Sequence, residues 1–264
     1  EDVYYESHDG QLPFRYRLAY GLFGWWTAHF ATKIMAISET SKKNVASLYN
    51  INPDRIVVNY LGVDVDSAFT EASAGLPHKE SEYLLYVGQA FPRRHLKETI
   101  GAFHKIAKEF TDLCLIAIGP DKYPIPTIAP LIHKINSELG REAIIHKDYV
   151  EQDELNRFYA GAKALVYISD REAFGLPPME AMSFGVPSVI ADNVLGHELF
   201  GDNAIFVSRP DSVDSITTAL REAMTNSALR EKIKRHAPEI VSRYTWQAHT
   251  GRFLEMIKSM TRHD

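Results

Sequence analysis

Cysteine is almost absent: Cys114 is the single thiol in 264 residues. That excludes an intrachain disulfide framework and a thiolate-rich zinc site. Cys114 lies inside the apolar run LCLIAI, where a small buried hydrophobe on a strand is expected, and a lone thiol of this kind suits a reducing compartment. Long apolar runs are also missing. The most apolar stretch, residues 18–28 (LAYGLFGWWTA), has 11 residues, against the roughly 20 that cross a bilayer. Nor does one charge dominate: 29 Lys and Arg face 34 Asp and Glu, a net charge of −5, so nucleic acid is not an expected partner. A phosphate-binding function would need a local site. Internal repeats and low-complexity segments are absent as well, and no signal or transit peptide is expected in this stretch. The chain opens on EDVYYESHDG without a Met, which leads to the expectation of a partial or trimmed chain.

What is present is a regular alternation. Short apolar runs recur at 83–88, 113–119, 143–145, 164–169, 187–192 and 204–208, separated by amphipathic segments. Between the first two, Leu96, Ile100, Phe103 and Ala107 recur at three and four residues, a helix face. EQDELNRFYAGAK follows the third run and PPMEAMSFG the fourth. Strand, helix, strand at this spacing predicts βαβ units in a parallel sheet covered on both faces, a Rossmann-like doubly wound domain. Three further helices are expected near 211–224, 227–241 and after Thr245, with Pro238 disturbing the end of the second. Before residue 62 the reading is a strand at VYYESHD, an aromatic-rich helix over 12–32, a strand KIMAIS, a helix N-capped by Ser38, and a strand RIVVNY. Two strands with helices cannot make a complete Rossmann domain, so this unit is expected to be incomplete in sequence or completed by another chain. Residues 70–80 are polar and read as a linker.

The segment EAFGLPPME, 172–180, carries the chemistry. Gly175 permits an unusual dihedral or a close backbone approach, and Pro177 suits a first helical turn. The amides of Ala173, Phe174, Gly175 and Leu176 would then lie at a helix N-terminus beyond the carboxyl end of a strand, suited to an anion. Glu172 and Glu180 would repel phosphate but accept hydrogen bonds from sugar hydroxyls. Spacing alone equally allows an ordinary helix with a solvated acidic face.

This segment resembles the E-x7-E signature of family-four, group 1 glycosyltransferases, retaining enzymes with two Rossmann-like halves (the GT-B fold). The chain keeps Glu172, Phe174, Gly175, Leu176, Pro177, Glu180, Ala181, Met182, Gly185 and Pro187, with Ala173 where the family usually has Gly. YVGQAFPRRHLKETIGAF, 86–103, is similar to the family's Y-V-G-R-x-x-P-x-K-N segment, including Gly88. Gln89 replaces the usual Arg, and Arg94 stands at the Lys position, where its planar fork can bind a diphosphate. By the same likeness the backbone around Lys147, Asp148, Tyr149 and Val150 holds the nucleotide base, with Asp148 where Gly is common. MAISETSKKNVASLY resembles the end of the family's N-terminal half, and YYESHDG its strand and His-Asp pair, which makes His8 a candidate contact to the donor sugar or acceptor. An ordinary surface His before an Asp-Gly turn fits as well.

The resemblance implies an α/β protein of GT-B type: a partial N-terminal domain over 1–61, a complete nucleotide-sugar domain over 62–243, and a terminal helix, 244–264, crossing back. It implies that the first strands of the acceptor half and its Gly-rich loop precede this sequence. The implied activity is retaining transfer of a hexose, in polysaccharide biosynthesis, from a GDP- or UDP-sugar, GDP-mannose among them, to a glycan or lipid-linked acceptor hydroxyl. Glu172, Arg94 and His8 are the candidate catalytic residues. No metal or cofactor beyond the nucleotide-sugar donor is expected. A cytoplasmic setting follows. The helix carrying Arg15, Arg17, Trp25, Trp26 and Phe30 reads first as a helix packed on a sheet, and second as one lying at the inner face of the cell membrane. Two other readings stay open: a nucleotide-sugar-binding module or subunit needing a partner, and a retaining glycoside hydrolase using Glu172 and Glu180. Oligomeric state has no signature here.

Overall fold

The computed structural model describes residues 14–64 and 82–261. His8, the expected strand before it, the 70–80 linker and the side chains of Arg15 and Arg17 lie outside the described residues. The chain divides into two compact units.

The larger unit comprises 63–170 and 176–242. Its strands are β3 (Tyr83–Val87), β4 (Cys114–Ile118), β5 (Ile144–Lys147), β6 (Ala164–Tyr167), β7 (Ser188–Ala191) and β8 (Ile205–Val207), all parallel, in the order β5-β4-β3-β6-β7-β8. β3 (YLLYV) and β4 (CLIAI) are buried throughout and pair Tyr83 with Cys114 through Val87 with Ile118. Apolar side chains on both faces are what a helix-covered parallel strand requires. Cys114 is a free, buried thiol on β4.

The covering helices are α3 (Leu96–Ile106), α4 (Ile128–Leu139), α5 (Gln152–Gly161), α6 (Leu176–Ser183), α7 (Val194–Phe200), α8 (Val213–Thr225) and α9 (Ser227–Val241). Leu96, Ile100 and Phe103 of α3 and Ile216 and Leu220 of α8 are fully buried in one core with β3 and β4. Burying one such side chain stabilises by about 1.5–3 kcal/mol. α4 and α7 go beyond the helices expected from sequence. α4 is fixed at its start by Asp121, whose carboxylate accepts the amides of Tyr123, Thr127 and Ile128 at 2.8–2.9 Å. Near its end the Asn136 side chain bonds Ala143 and Ile144, locking the entry to β5. α9 has the bounds expected, with Pro238 inside its last turn.

The smaller unit comprises residues up to Gly62, the loop Arg171–Gly175, and the chain from Arg243. It holds α1 (Phe14–Phe30), β1 (Ile34–Ala36), α2 (Glu39–Tyr49), β2 (Ile56–Val58) and α10 (Trp246–Thr261), with β1 and β2 parallel. Ser38 caps α2 by accepting the Ser41 amide at 2.9 Å, and Asn50 ends it in the left-handed region, φ 51°. Buried Asn59 donates to the His249 carbonyl and accepts from Arg252, tying the end of β2 to α10. Thr245 caps α10 by accepting the Ala248 amide. The reading of α1 as a helix with its aromatics in a core does not hold among the described residues: Phe23, Trp25, Trp26 and Phe30 are all more than half exposed. Among the described residues no helix is long and apolar enough to cross a membrane.

Candidate active site

In the larger unit, chain direction sets the location of the site. The strand order reverses between β3 and β6, and in an open parallel sheet that switch leaves a crevice outside the carboxyl ends of the strands. The segments leaving β3 and β6 flank it.

After β3 the chain passes through Gly88, Gln89 and Ala90 into a 3-10 turn, Pro92–Arg94. Gly88 has φ 132°, open to glycine alone, and a Cβ there would sit 2.6 Å from Nη1 of Arg94. The Arg94 guanidinium therefore lies directly over the Gly88 backbone. It also lies 5.2 Å from the ring centroid of Tyr167, the last residue of β6. A half-buried cation is thus held over the ends of both strands that flank the switch. A Cβ on Gly119, after β4, would strike the Gly88 carbonyl, so the neighbouring loop also packs backbone to backbone.

After β6 come buried Ser169 and then Asp170, whose amide donates to the Arg93 carbonyl at 3.0 Å. Oδ1 of Asp170 accepts from Nε2 of His95 at 2.7 Å. Neither His95 nor Asp170 stands out in the sequence.

Glu180 is on α6, about one turn from its start. It accepts the Tyr159 hydroxyl at 2.7 Å, and Tyr159, on α5, is fully buried. Burial raises the Glu180 carboxyl above its ordinary value. The Tyr159 hydrogen bond opposes that shift, and the nearby Asp64 carboxylate adds to it. Burial likewise drives the Tyr159 phenol well above 10, so it acts as a donor. Sequence reasoning missed Tyr159 because its pairing with Glu180 spans two helices.

The segment after β5 stands two strands away from β3 at the sheet edge. Lys147 ends β5 and pairs with Glu154 at 3.1 Å. Asp148 and Tyr149 are exposed, with the Tyr149 hydroxyl reaching Glu151 at 3.3 Å, and Val150 is buried. Of the expected site residues, the larger unit carries Gly88, Arg94, Lys147, Asp148, Tyr149, Val150, Leu176 and Glu180, and among these Arg94 lies over Gly88.

The remaining part of EAFGLPPME, Glu172 to Gly175, belongs to the smaller unit. Phe174 is 3% exposed and packs edge-on to Tyr244, with ring centroids 5.8 Å apart, and against Tyr60 at 6.3 Å. The Ala173 carbonyl accepts from Ser38 and Ser41 at 3.0 and 3.3 Å. Gly175 has φ 87°, which an L side chain would strain. Glu172 is half-buried. Phe174 is therefore the anchor of this loop, and its bed of Tyr60, Tyr244, Ser38 and Ser41 comes from three distant stretches of chain. Spacing signals do not link such stretches.

Comparison with known proteins follows the same segments. Residues 68–240 match the family model of glycosyl transferases group 1. The chain is 27% identical over 235 residues to O-antigen chain mannosyltransferase B of Escherichia coli, covering 86% of this chain and 61% of that one. It is 30% identical over 191 residues to O-antigen chain mannosyltransferase RfbU of Salmonella typhimurium, covering 71% of this chain and 50% of the other. The chain thus spans between half and about three-fifths of these curated relatives. Among solved structures, the UDP-forming α,α-trehalose-phosphate synthase of Burkholderia vietnamiensis aligns over 94% of this chain and 64% of its own, with TM-score 0.79 at 12% identity. That likeness shows the fold class, α/β of the GT-B type. With the family model matching well over half of its residues, the chain belongs to the group 1 glycosyl transferases.

Proposed function

We propose that the larger unit binds the diphosphate of a nucleotide sugar and that the whole protein transfers the sugar, with retention, to a glycan or lipid-linked hydroxyl. The observation that carries this is Arg94 folded over Gly88 and Tyr167 at the β3/β6 switch. As the glycosidic bond breaks, the leaving diphosphate gains negative charge, and a preorganised guanidinium stabilises that charge more than it stabilises the ground state. Arg94 is a better fork than a Lys for two phosphate oxygens. Glu180 takes a ribose hydroxyl, and Glu172 orients the sugar through its hydroxyls. The backbone of 147–150 contacts the base. The mannosyltransferase relatives favour mannose as the sugar transferred, with GDP-mannose the donor proposed. Family membership supports transfer over the hydrolysis that two carboxylates alone would also allow.

The test is a calorimetric panel of GDP, UDP and ADP with their sugars. The reading expects one base to be preferred and the diphosphate to bind more tightly than the bare nucleoside. A chain that binds none of them, or binds nucleoside and diphosphate equally, refutes it. Transfer itself is read from chain elongation of a mannosylated acceptor, with the anomeric configuration read by NMR.

A further inference from the structure

His95 holds an unusual backbone. Among the described non-glycine residues only Asn50 and His95 have positive φ, and His95 sits at φ 47° between the Pro92–Arg94 turn and α3. A residue kept in the left-handed region must be held there by its surroundings. Here the hold is specific. The His95 side chain is 10% exposed, and its Nε2 lies 2.7 Å from Oδ1 of Asp170, on the segment leaving β6. A carboxylate only accepts, so His95 donates. Its Nδ1 faces Glu98 of α3 at 3.7 Å. Beside this contact the Asp170 amide bonds the Arg93 carbonyl. Two bonds thus clasp the turn that presents Arg94 to the segment that leads to Glu172.

Resting on the reading that the larger unit takes a diphosphate, we propose that His95 is a positioning residue, which through Asp170 fixes the Pro92–Arg94 turn so that Arg94 meets the donor diphosphate.

The charges around the ring make this clasp pH-dependent. Burial alone would push the imidazole down, but the Glu98 and Asp170 carboxylates outweigh it, so the His95 pKa is raised above 6.5. Burial pushes the Glu98 carboxyl up, but His95, the Glu98 backbone amide and, in smaller part, Lys97 outweigh it and hold it below its ordinary value. Tyr123, which also faces Glu98, is pushed up to about 12 by burial first and by Glu98 next, and so stays neutral. Arg93 and Arg94 lie on the preceding turn. A protonated His95 is therefore the cation shared by two carboxylates. Once it loses its proton, only one ring nitrogen still carries a hydrogen, and the charge assistance ends.

The experiment is calorimetry with GDP-mannose and with UDP-glucose on the unchanged chain, His95→Asn and Asp170→Asn, over roughly pH 5.5–8.5, the range in which imidazole titrates. Nucleotide sugars suit it because their esterified diphosphate lacks the second ionisation, near pKa ~6, of a phosphate monoester. Asn tolerates the left-handed backbone, so His95→Asn removes the clasp and keeps the turn residue foldable. We expect affinity in the unchanged chain to fall about tenfold as pH rises through the His95 pKa, the scale of one charge-assisted hydrogen bond. His95→Asn should be weak and flat with pH, and Asp170→Asn should move the fall to lower pH. The same pH dependence in His95→Asn and the unchanged chain overturns the proposal.

If neither nucleotide sugar binds at any pH, the donor reading fails separately, and hydrogen exchange of the Asp170 amide then decides the clasp. Protection, corrected for intrinsic exchange, should drop in His95→Asn at the acid end. Equal protection there overturns the positioning role.

Discussion

Arg94→Ala is the most direct perturbation of the proposed donor site. Its magnitude can be worked from the contacts of the guanidinium. The side chain lies over the Gly88 backbone, 5.2 Å from the Tyr167 ring, and Nη1 donates to the Gln89 carbonyl at a long 3.4 Å. A half-exposed cation–π contact stabilises by about 0.5–1 kcal/mol, the loss to folding expected from this contact. Ligand binding should lose more. Charge-assisted hydrogen bonds to a diphosphate are each worth about 1.5–3 kcal/mol, so loss of even one arm of the fork should weaken GDP or UDP by about 10- to 100-fold. The bare nucleoside should bind as before. Arg94→Lys should recover part of the loss, because charge returns without the fork.

Gly88→Ala gives an independent route to the same defect. The new Cβ would fall 2.6 Å from Nη1, at a backbone angle that alanine resists, so Arg94 must move aside. If the two residues form one device, Gly88→Ala should cost nearly as much diphosphate affinity as Arg94→Ala, and the double variant little more than either. Calorimetry of the four proteins with GDP, UDP and the matching nucleosides closes the cycle. Equal losses for nucleoside and diphosphate, or additive losses in the double variant, would refute a phosphate role for Arg94 built on Gly88.

Other perturbations test the rest of the site. Because burial raises the Glu180 carboxyl, its stabilising contribution is complete below the unfolded value near 4.5 and is lost as pH rises through the folded value. Glu180→Gln should therefore match the unchanged chain in Tm near pH ~4 and exceed it near pH ~7, while losing about 1–3 kcal/mol of nucleotide affinity; the same Tm difference at both pH values would contradict this. Phe174→Ala removes the buried anchor from between Tyr60 and Tyr244 and should cost about 3 kcal/mol. Trp25, Trp26 and Trp246 all lie in the smaller unit, so urea unfolding followed by tryptophan emission reads that loss there. Asp121→Ala removes the acceptor of three amides at the start of α4 and should cost about 1–2 kcal/mol, with the Thr127 and Ile128 amides losing exchange protection.

The sheet and most helices were legible because they rest on local periodicity. β3 and β4 are buried on both faces, so they show as unbroken apolar runs, and α3 shows because Leu96, Ile100 and Phe103 recur on one face. α4 has a periodic face as well, Ile128, Ile132 and Ile135, but Pro124, Pro126 and Pro130 crowd its start and hide it. What makes the helix start there is Asp121, several residues upstream, which caps it from outside its own turn. The smaller unit shows the opposite limit. Its helix positions follow from sequence, but the aromatics of α1 do not reveal their environment, because Phe23, Trp25, Trp26 and Phe30 fall on no single apolar face that would say whether they meet a core or solvent.

The candidate site divides along the same line. Gly88, Arg94, Glu172 and Glu180 were visible because chemistry and the family pattern single out their types. Tyr159, His95, Asp170 and the bed of Phe174 were not, because each matters through one contact made far along the chain: 21 residues from Tyr159 to Glu180, and 75 from His95 to Asp170. Those contacts set what the visible residues can do. Tyr159 gives the half-buried Glu180 a hydrogen-bond donor at 2.7 Å, so this acid is oriented by the fold itself. Asp170 and His95 fix the turn that aims Arg94. A glycosyl transfer that relies on fixed charge rather than on a mobile side chain needs such supports, since a guanidinium free to swing would lose in reorganisation much of what it gains in attraction. The family pattern therefore marks the residues proposed to meet the donor. The long-range bonds behind them decide how firmly those residues are held, and this is where members sharing the pattern can differ in strength.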